Sequence, residues 1–188
     1  MKKTITKLIL ILISFQGMAQ LNESFSDGDF TNNTPWLGDI TQFKINNNDL
    51  LQLDGNSSDT SYLSTTNTKI LNTEWRFYAK HSFNSSDNNH TRIYLASSNQ
   101  NLEGSLNGYF VEYGSSDDNI KLIRQDGNDT TILINGNIFT TSNSVNEFTF
   151  KITCSQNSEW ELFADDQAGI NFISEGSITD NTYTTTNY

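Results

Sequence analysis

Glu74-Trp75-Arg76-Phe77-Tyr78-Ala79-Lys80-His81-Ser82-Phe83 decides the fold, because its chemical character changes at almost every step. Trp75, Phe77, Ala79, His81 and Phe83 fall on one side of an extended chain. Glu74, Arg76, Lys80 and Ser82 fall on the other, together with Tyr78. A period of two belongs to a β-strand with one face in a core and one in water. Residues 147–154 repeat the pattern: Phe148, Phe150, Ile152 and Cys154 take the apolar side, and Glu147, Thr149, Lys151 and Thr153 the polar side. Shorter alternations run through residues 51–53, 62–63, 92–96, 109–113, 120–123, 132–134 and 160–164. Turn-forming clusters separate them, among them Asp54-Gly55-Asn56, Asp126-Gly127-Asn128, Asn135-Gly136-Asn137 and Gln156-Asn157-Ser158.

No stretch after residue 20 carries apolar residues at i, i+3, i+4 and i+7 over ten positions, so the crossover helices that parallel strands require are missing. The strands therefore pair antiparallel. About ten or eleven of them fit two packed sheets or a jelly roll, whereas a single open sheet would leave one apolar face unburied. A single proline suits strands whose amides need ladder partners, and the absence of a fixed-length repeat argues against a propeller or solenoid. The expected fold class is all-β, an antiparallel two-sheet β-sandwich.

Ahead of these strands, Lys2, Lys3 and Lys7 precede an apolar run over residues 8–15 and the small residues Gly17 and Ala19. A basic start, a short apolar middle and a small-x-small end describe a cleavable secretory signal peptide over residues 1–19, cut after Ala19 or alternatively Gln20. The apolar run is roughly half of the ~20 residues that cross a bilayer, so no membrane span is expected after cleavage. The domain then covers residues 20–188 and is secreted or displayed at the cell surface. The chain has 22 acidic and 11 basic residues, a net charge of -11, and three of the lysines leave with the leader. Such a field repels nucleic acid and anionic membranes. Twelve Phe, seven Tyr and three Trp against 18% charged residues supply the apolar area to offset ordering entropy, so the chain folds.

A set of motifs spans the domain: Glu23-Ser24-Phe25-Ser26-Asp27-Gly28-Asp29-Phe30, Asn33-Thr34-Pro35-Trp36-Leu37-Gly38-Asp39, Leu51-Gln52-Leu53 and Thr60-Ser61-Tyr62-Leu63-Ser64. It continues with Glu74-Trp75-Arg76-Phe77, Leu106-Asn107-Gly108-Tyr109-Phe110, Arg124-Gln125-Asp126-Gly127 and Asp180-Asn181-Thr182-Tyr183-Thr184. Together these resemble the N-terminal concanavalin A-like (laminin-G-like) module of large exported surface proteins of gliding Gram-negative bacteria, which often carry lamin-tail domains further along. The resemblance implies a concanavalin A-like jelly roll. It also implies that one or two closing strands follow Tyr188 in a longer protein, whose C-terminal part would complete the sheet edge.

Most catalytic classes are empty. There is no nucleophile elbow, no Gly-Lys-Ser phosphate loop and no basic stripe, and His81 and His90 lack the spacing of a zinc set. Tyr78 and Tyr94 lie off the core parity of their strands and are candidate contacts for a sugar ring, although single exposed aromatics are also ordinary surface. Asp126, Asn128 and Asp129 form one of several oxygen-rich loops. They are candidate ligands for Ca²⁺, which takes six to eight hard oxygens and which laminin-G-like relatives bind. Such loops are first of all turns, and none completes an EF-hand.

Glu159 and Glu161 flank Trp160 and share one strand face about 7 Å apart, within reach of a glycosidase carboxylate pair. Glucanases of the concanavalin A-like class carry Glu-x-Asp-x-x-Glu, and the matching positions here read Glu159-x-Glu161-x-x-Ala164. A solvated strand face opposite a core Trp160 is the better reading. Cys154, the lone cysteine, has core parity and is expected to be buried. The resemblance supplies the alternative of a disulfide to a cysteine beyond Tyr188. The expected function is a non-catalytic, lectin-like binding or adhesion module for glycans or surface polymers, the alternatives being a structural spacer and a divergent glycoside hydrolase.

Overall fold

The computed structural model describes residues 21–55 and 59–188, and the predicted signal peptide lies outside them. The two strictly alternating stretches form β5 (Thr73–His81) and β10 (Asn146–Cys154), which pair antiparallel over nine residues with Phe150 opposite Phe77. The other strands are β1 (Leu37–Gly38), β2 (Phe43–Ile45), β3 (Leu51–Leu53), β4 (Leu63–Ser64), β6 (Thr91–Ser97), β7 (Leu106–Tyr113), β8 (Ile120–Gly127), β9 (Asp129–Asn135), β11 (Glu159–Asp165) and β12 (Ile173–Thr179). A 3₁₀ turn at Ile40–Gln42 is the one helical element among the described residues.

Two four-stranded antiparallel sheets, in the orders β12-β11-β10-β5 and β6-β7-β8-β9, pack against each other as a β-sandwich, with two small ribbons, β1-β4 and β2-β3, beside them. The inner faces meet in an aromatic core. Trp160 is fully buried, stacks on Trp75 at 5.6 Å and meets Tyr109 at a tilt at 4.4 Å, while Tyr113 meets Phe148 and Phe150 edge-on. Such pairs add about 0.5–1.5 kcal/mol each beyond the apolar area they bury. The buried polar tips find partners at the rim: the Trp160 indole donates to the Asp180 carbonyl and the Tyr109 hydroxyl to Asp180 Oδ1.

Three details depart from the alternation. β5 ends at His81, so Phe83 leaves the core side and lies exposed over the His81 ring. β12 has no sequence alternation because it bulges at Glu175, opposite the Leu162–Phe163 step of β11 and next to Gly176, whose φ of 146° is costly for any other residue. The Asp126-Gly127-Asn128-Asp129 signal is a tight hairpin between β8 and β9, with Asp126 paired to Asp129 and Gly127 at φ 68°.

Candidate functional site

The outward face of the β12-β11-β10-β5 sheet is open over β5 and β10 and closes at the end of β11, where Asp165 is buried and accepts from the backbone of Gln167 and Asn171. Its residues come from the polar parity of each strand, and register sets them in rows: Tyr78 beside Thr149, Arg76 beside Lys151 beside Phe163, and Glu74 beside Thr153 beside Glu161. The Lys151 ammonium sits 3.9 Å from the centre of the Phe163 ring and 5.2 Å from that of Phe172, and the Arg76 guanidinium covers Phe172 from 5.5 Å. Cations over ring faces at this distance hold each other in place. The sheet thus carries a strip of two phenylalanines and two cations. Tyr78 lies one row along, 37% exposed, its hydroxyl donating to Glu147 Oε1 at 2.9 Å while Lys80 donates to Oε2 at 3.0 Å. Partial burial and the Glu147 carboxylate push the Tyr78 pKa up to about 12, so the phenol keeps its proton and remains a donor.

Of the sequence candidates, Tyr78 is therefore on an open face with aromatic and charged neighbours. Tyr94 is not. It is half-buried, its ring 5.0 Å from Phe110 and its hydroxyl donating to Gln125 Oε1 at 2.6 Å. The reason is that the outward face of the β6-β7-β8-β9 sheet is largely covered: Phe110 is 0% exposed and Ile123 4%, although both lie off the core parity. On the same face Glu112 stands between Arg92 and Lys121, at 3.4 and 3.3 Å, and Lys121 also reaches Asp117 at 2.8 Å. Burial works against the Lys121 ammonium, but Asp117 and Glu112 outweigh it and raise its pKa above the ordinary lysine value.

The calcium candidates separate as well. Asp126 is drawn into the polar end of the sandwich, accepting from Arg124 at 2.9 Å and from the Tyr183 hydroxyl at 2.6 Å, while Arg124 also bonds Asp180. Both of its oxygens are engaged, and among the described residues no three of His, Cys, Asp and Glu gather as a metal set. Asn128 and Asp129 are exposed in the hairpin. This donor set does not fit Ca²⁺.

Cys154 is buried at the end of β10, and desolvation pushes its thiol up to about 11, an unreactive setting. Glu159 and Glu161 flank the buried Trp160, and with Glu74, Asn72 and Thr153 they line a shallow cleft of about 290 Å³. Phe163, Phe172, Lys151 and Arg76 were not among the sequence candidates. Phe163 shows the signal that marks Tyr78, an aromatic on the polar parity of its strand, whereas Phe172 precedes β12 and carries no such mark.

Fold and face together define an all-β sandwich with one open, aromatic-bearing sheet surface. In comparisons with known proteins, no family model, no curated protein and no solved structure matches the chain.

Proposed function

We propose that this is a non-catalytic, lectin-like binding or adhesion module, exported through its N-terminal leader, that contacts glycans or other surface polymers through the outward face of the β12-β11-β10-β5 sheet. The observation that carries the reading is the strip of Phe163, Lys151, Phe172 and Arg76, with Tyr78 alongside. Ring faces held in position offer apolar platforms to a pyranose. The Lys151, Thr149, Thr153 and Glu147 side chains around them offer donors and acceptors for its hydroxyls. Phe163, Lys151, Arg76 and Tyr78 all project from strands, so these groups need no loop ordering on binding.

A glycan array tests it. Saturable binding to a neutral or acidic glycan is expected, unaffected by EDTA because the hairpin donors do not suit calcium. Phe163→Ala and Tyr78→Ala each weaken it on the order of tenfold, as the loss of an anchor aromatic does. No saturable binding by the folded chain would favour a structural spacer. One observation favours a hydrolase instead, the cleft beside Glu74, Glu159 and Glu161. Turnover of β-glucans that disappears in Glu159→Gln would replace the binding reading.

A further inference from the structure

We infer that the outer edge of β5 is a self-association surface: two copies of this chain pair β5 with β5, antiparallel about Phe77, into one continuous eight-stranded sheet.

The four outer strands of the sandwich are not treated alike. β12 is bulged against β11, and its buried Glu175 accepts from the backbone of Ile138 and Phe139, just past β9, at 2.9 and 3.0 Å. β9 is bulged against β8. β6 is bulged against β7, and its end at Ser97 exchanges backbone hydrogen bonds with Tyr188. Bulges and covering segments are how sheets avoid edge-to-edge pairing. β5 has neither. Its ladder with β10 runs nine pairs without a shift, and among the described residues no hydrogen bond reaches the backbone of residues 74–80 from the other side.

The core is also open at this edge. Trp75, Phe77 and Ala79 point inward but remain partly exposed, while their neighbours on β10, Phe148, Phe150 and Ile152, are 3%, 0% and 0% exposed. A strand added to β5 would bury them.

The sequence of β5 names the occupant. With Phe77 opposite the partner's Phe77, Glu74 faces the partner's Lys80, Trp75 faces the partner's Ala79 and Arg76 faces the partner's Tyr78, and symmetry makes each of these unequal pairs twice. Acid meets base, large meets small, and a cation meets a ring, all favourable cross-strand pairs. The row Glu147, Lys80 and the partner's Glu74 alternates in sign. The two neighbouring registers that keep the same faces are both worse: centring on Arg76 sets it against the partner's Arg76, and centring on Tyr78 sets Arg76 against the partner's Lys80. A two-fold axis perpendicular to the sheet leaves both outward faces on the same side, so the dimer presents the Tyr78 face twice.

Sedimentation of the full chain with two charge reversals tests this. The unmodified chain is expected to dimerise reversibly. Glu74→Lys alone and Lys80→Glu alone each place like charges at both outer pairs and weaken the dimer roughly 30-fold. An equal mixture of the two variants restores it, because every reversed position then faces an opposite charge. Hydrogen exchange within residues 74–80 slows as concentration rises. A chain that stays monomeric at every concentration reached, or a mixture that stays as weak as its components, overturns the proposal. So does protection of β5 that is independent of concentration, which would mean that another segment of the same chain covers the edge.

Discussion

On the first sheet, β12-β11-β10-β5, most side chains that point away from the core reach water: Tyr78, Lys80, Glu147 and Lys151 are exposed or half-exposed, and Asp165 at the end of β11 is the buried exception. On the second, β6-β7-β8-β9, Phe110, Glu112, Lys121 and Gln125 also point away from the core, yet all four are buried. Each sheet carries a cross-strand Glu–Lys pair on its outward face, Glu147 with Lys80 at 3.0 Å and Glu112 with Lys121 at 3.3 Å. The chemistry is the same, but the side chains are about 40% exposed in the first pair and about 10% in the second. Solvation, not strand parity, separates a face that is free to bind from one that stabilises the domain.

Alanine at each glutamate gives the largest contrast. Glu112→Ala leaves the buried Lys121 with Asp117 as its remaining acid, while Arg92, 43% exposed, turns to water. Removing one member of a buried charge set costs about 3–5 kcal/mol, and the surviving Asp117 contact places this change near the lower end. Glu147→Ala frees Lys80 and the Tyr78 hydroxyl into water and costs under about 1 kcal/mol. Denaturant midpoints at neutral pH measure both. Equal losses would mean that the two faces are solvated alike.

His81 extends the contrast to the inward side of the first sheet. It is 5% exposed between Phe83 and Tyr113, with its ring nitrogens 2.9 Å from Ser85 Oγ and 2.8 Å from Thr91 Oγ1. Burial, with a smaller push from His90, lowers its pKa from 6.5 to about 4. The folded state thus prefers the neutral ring. The contribution is complete above the unfolded value and disappears as pH falls toward the folded one, so the domain loses stability from about pH 6.5 to about pH 4, by up to about 3 kcal/mol. Unfolding curves over that window should flatten in His81→Phe. A slope unchanged by the substitution would assign the acid sensitivity to other groups.

Strict alternation made β5 and β10 legible, and the Asp126-Gly127-Asn128 turn marked the β8-β9 hairpin. β12 was hidden because Gly176 and the bulge break its period. Parity identifies which side chains share a face but carries no information about what lies over that face. For this reason Tyr78 and Tyr94 looked equivalent in sequence and differ in the fold. Register is missing too: Arg76, Lys151 and Phe163 lie far apart along the chain and meet only because β5, β10 and β11 are neighbours. Asp126 read as a loop ligand because the partners that engage it, Arg124 and Tyr183, come from its own strand and from the C-terminal segment.

The same two tyrosines provide the finest test, since removing each hydroxyl changes one hydrogen bond and almost no volume. Tyr94 donates to Gln125, which is 5% exposed and whose amide nitrogen is already committed to the Gly104 and Gly127 carbonyls. In Tyr94→Phe the Gln125 oxygen keeps its buried position and loses its donor, a cost of about 1–2 kcal/mol. In Tyr78→Phe the Glu147 carboxylate keeps Lys80 and regains water, so stability changes by no more than a few tenths of a kcal/mol. Binding should reverse the order. If the Tyr78 face contacts the ligand, Tyr78→Phe loses affinity with no change in melting temperature, whereas Tyr94→Phe lowers the melting temperature and binds normally once folded. A matched loss of stability and affinity in either variant would break the division between the two sheets.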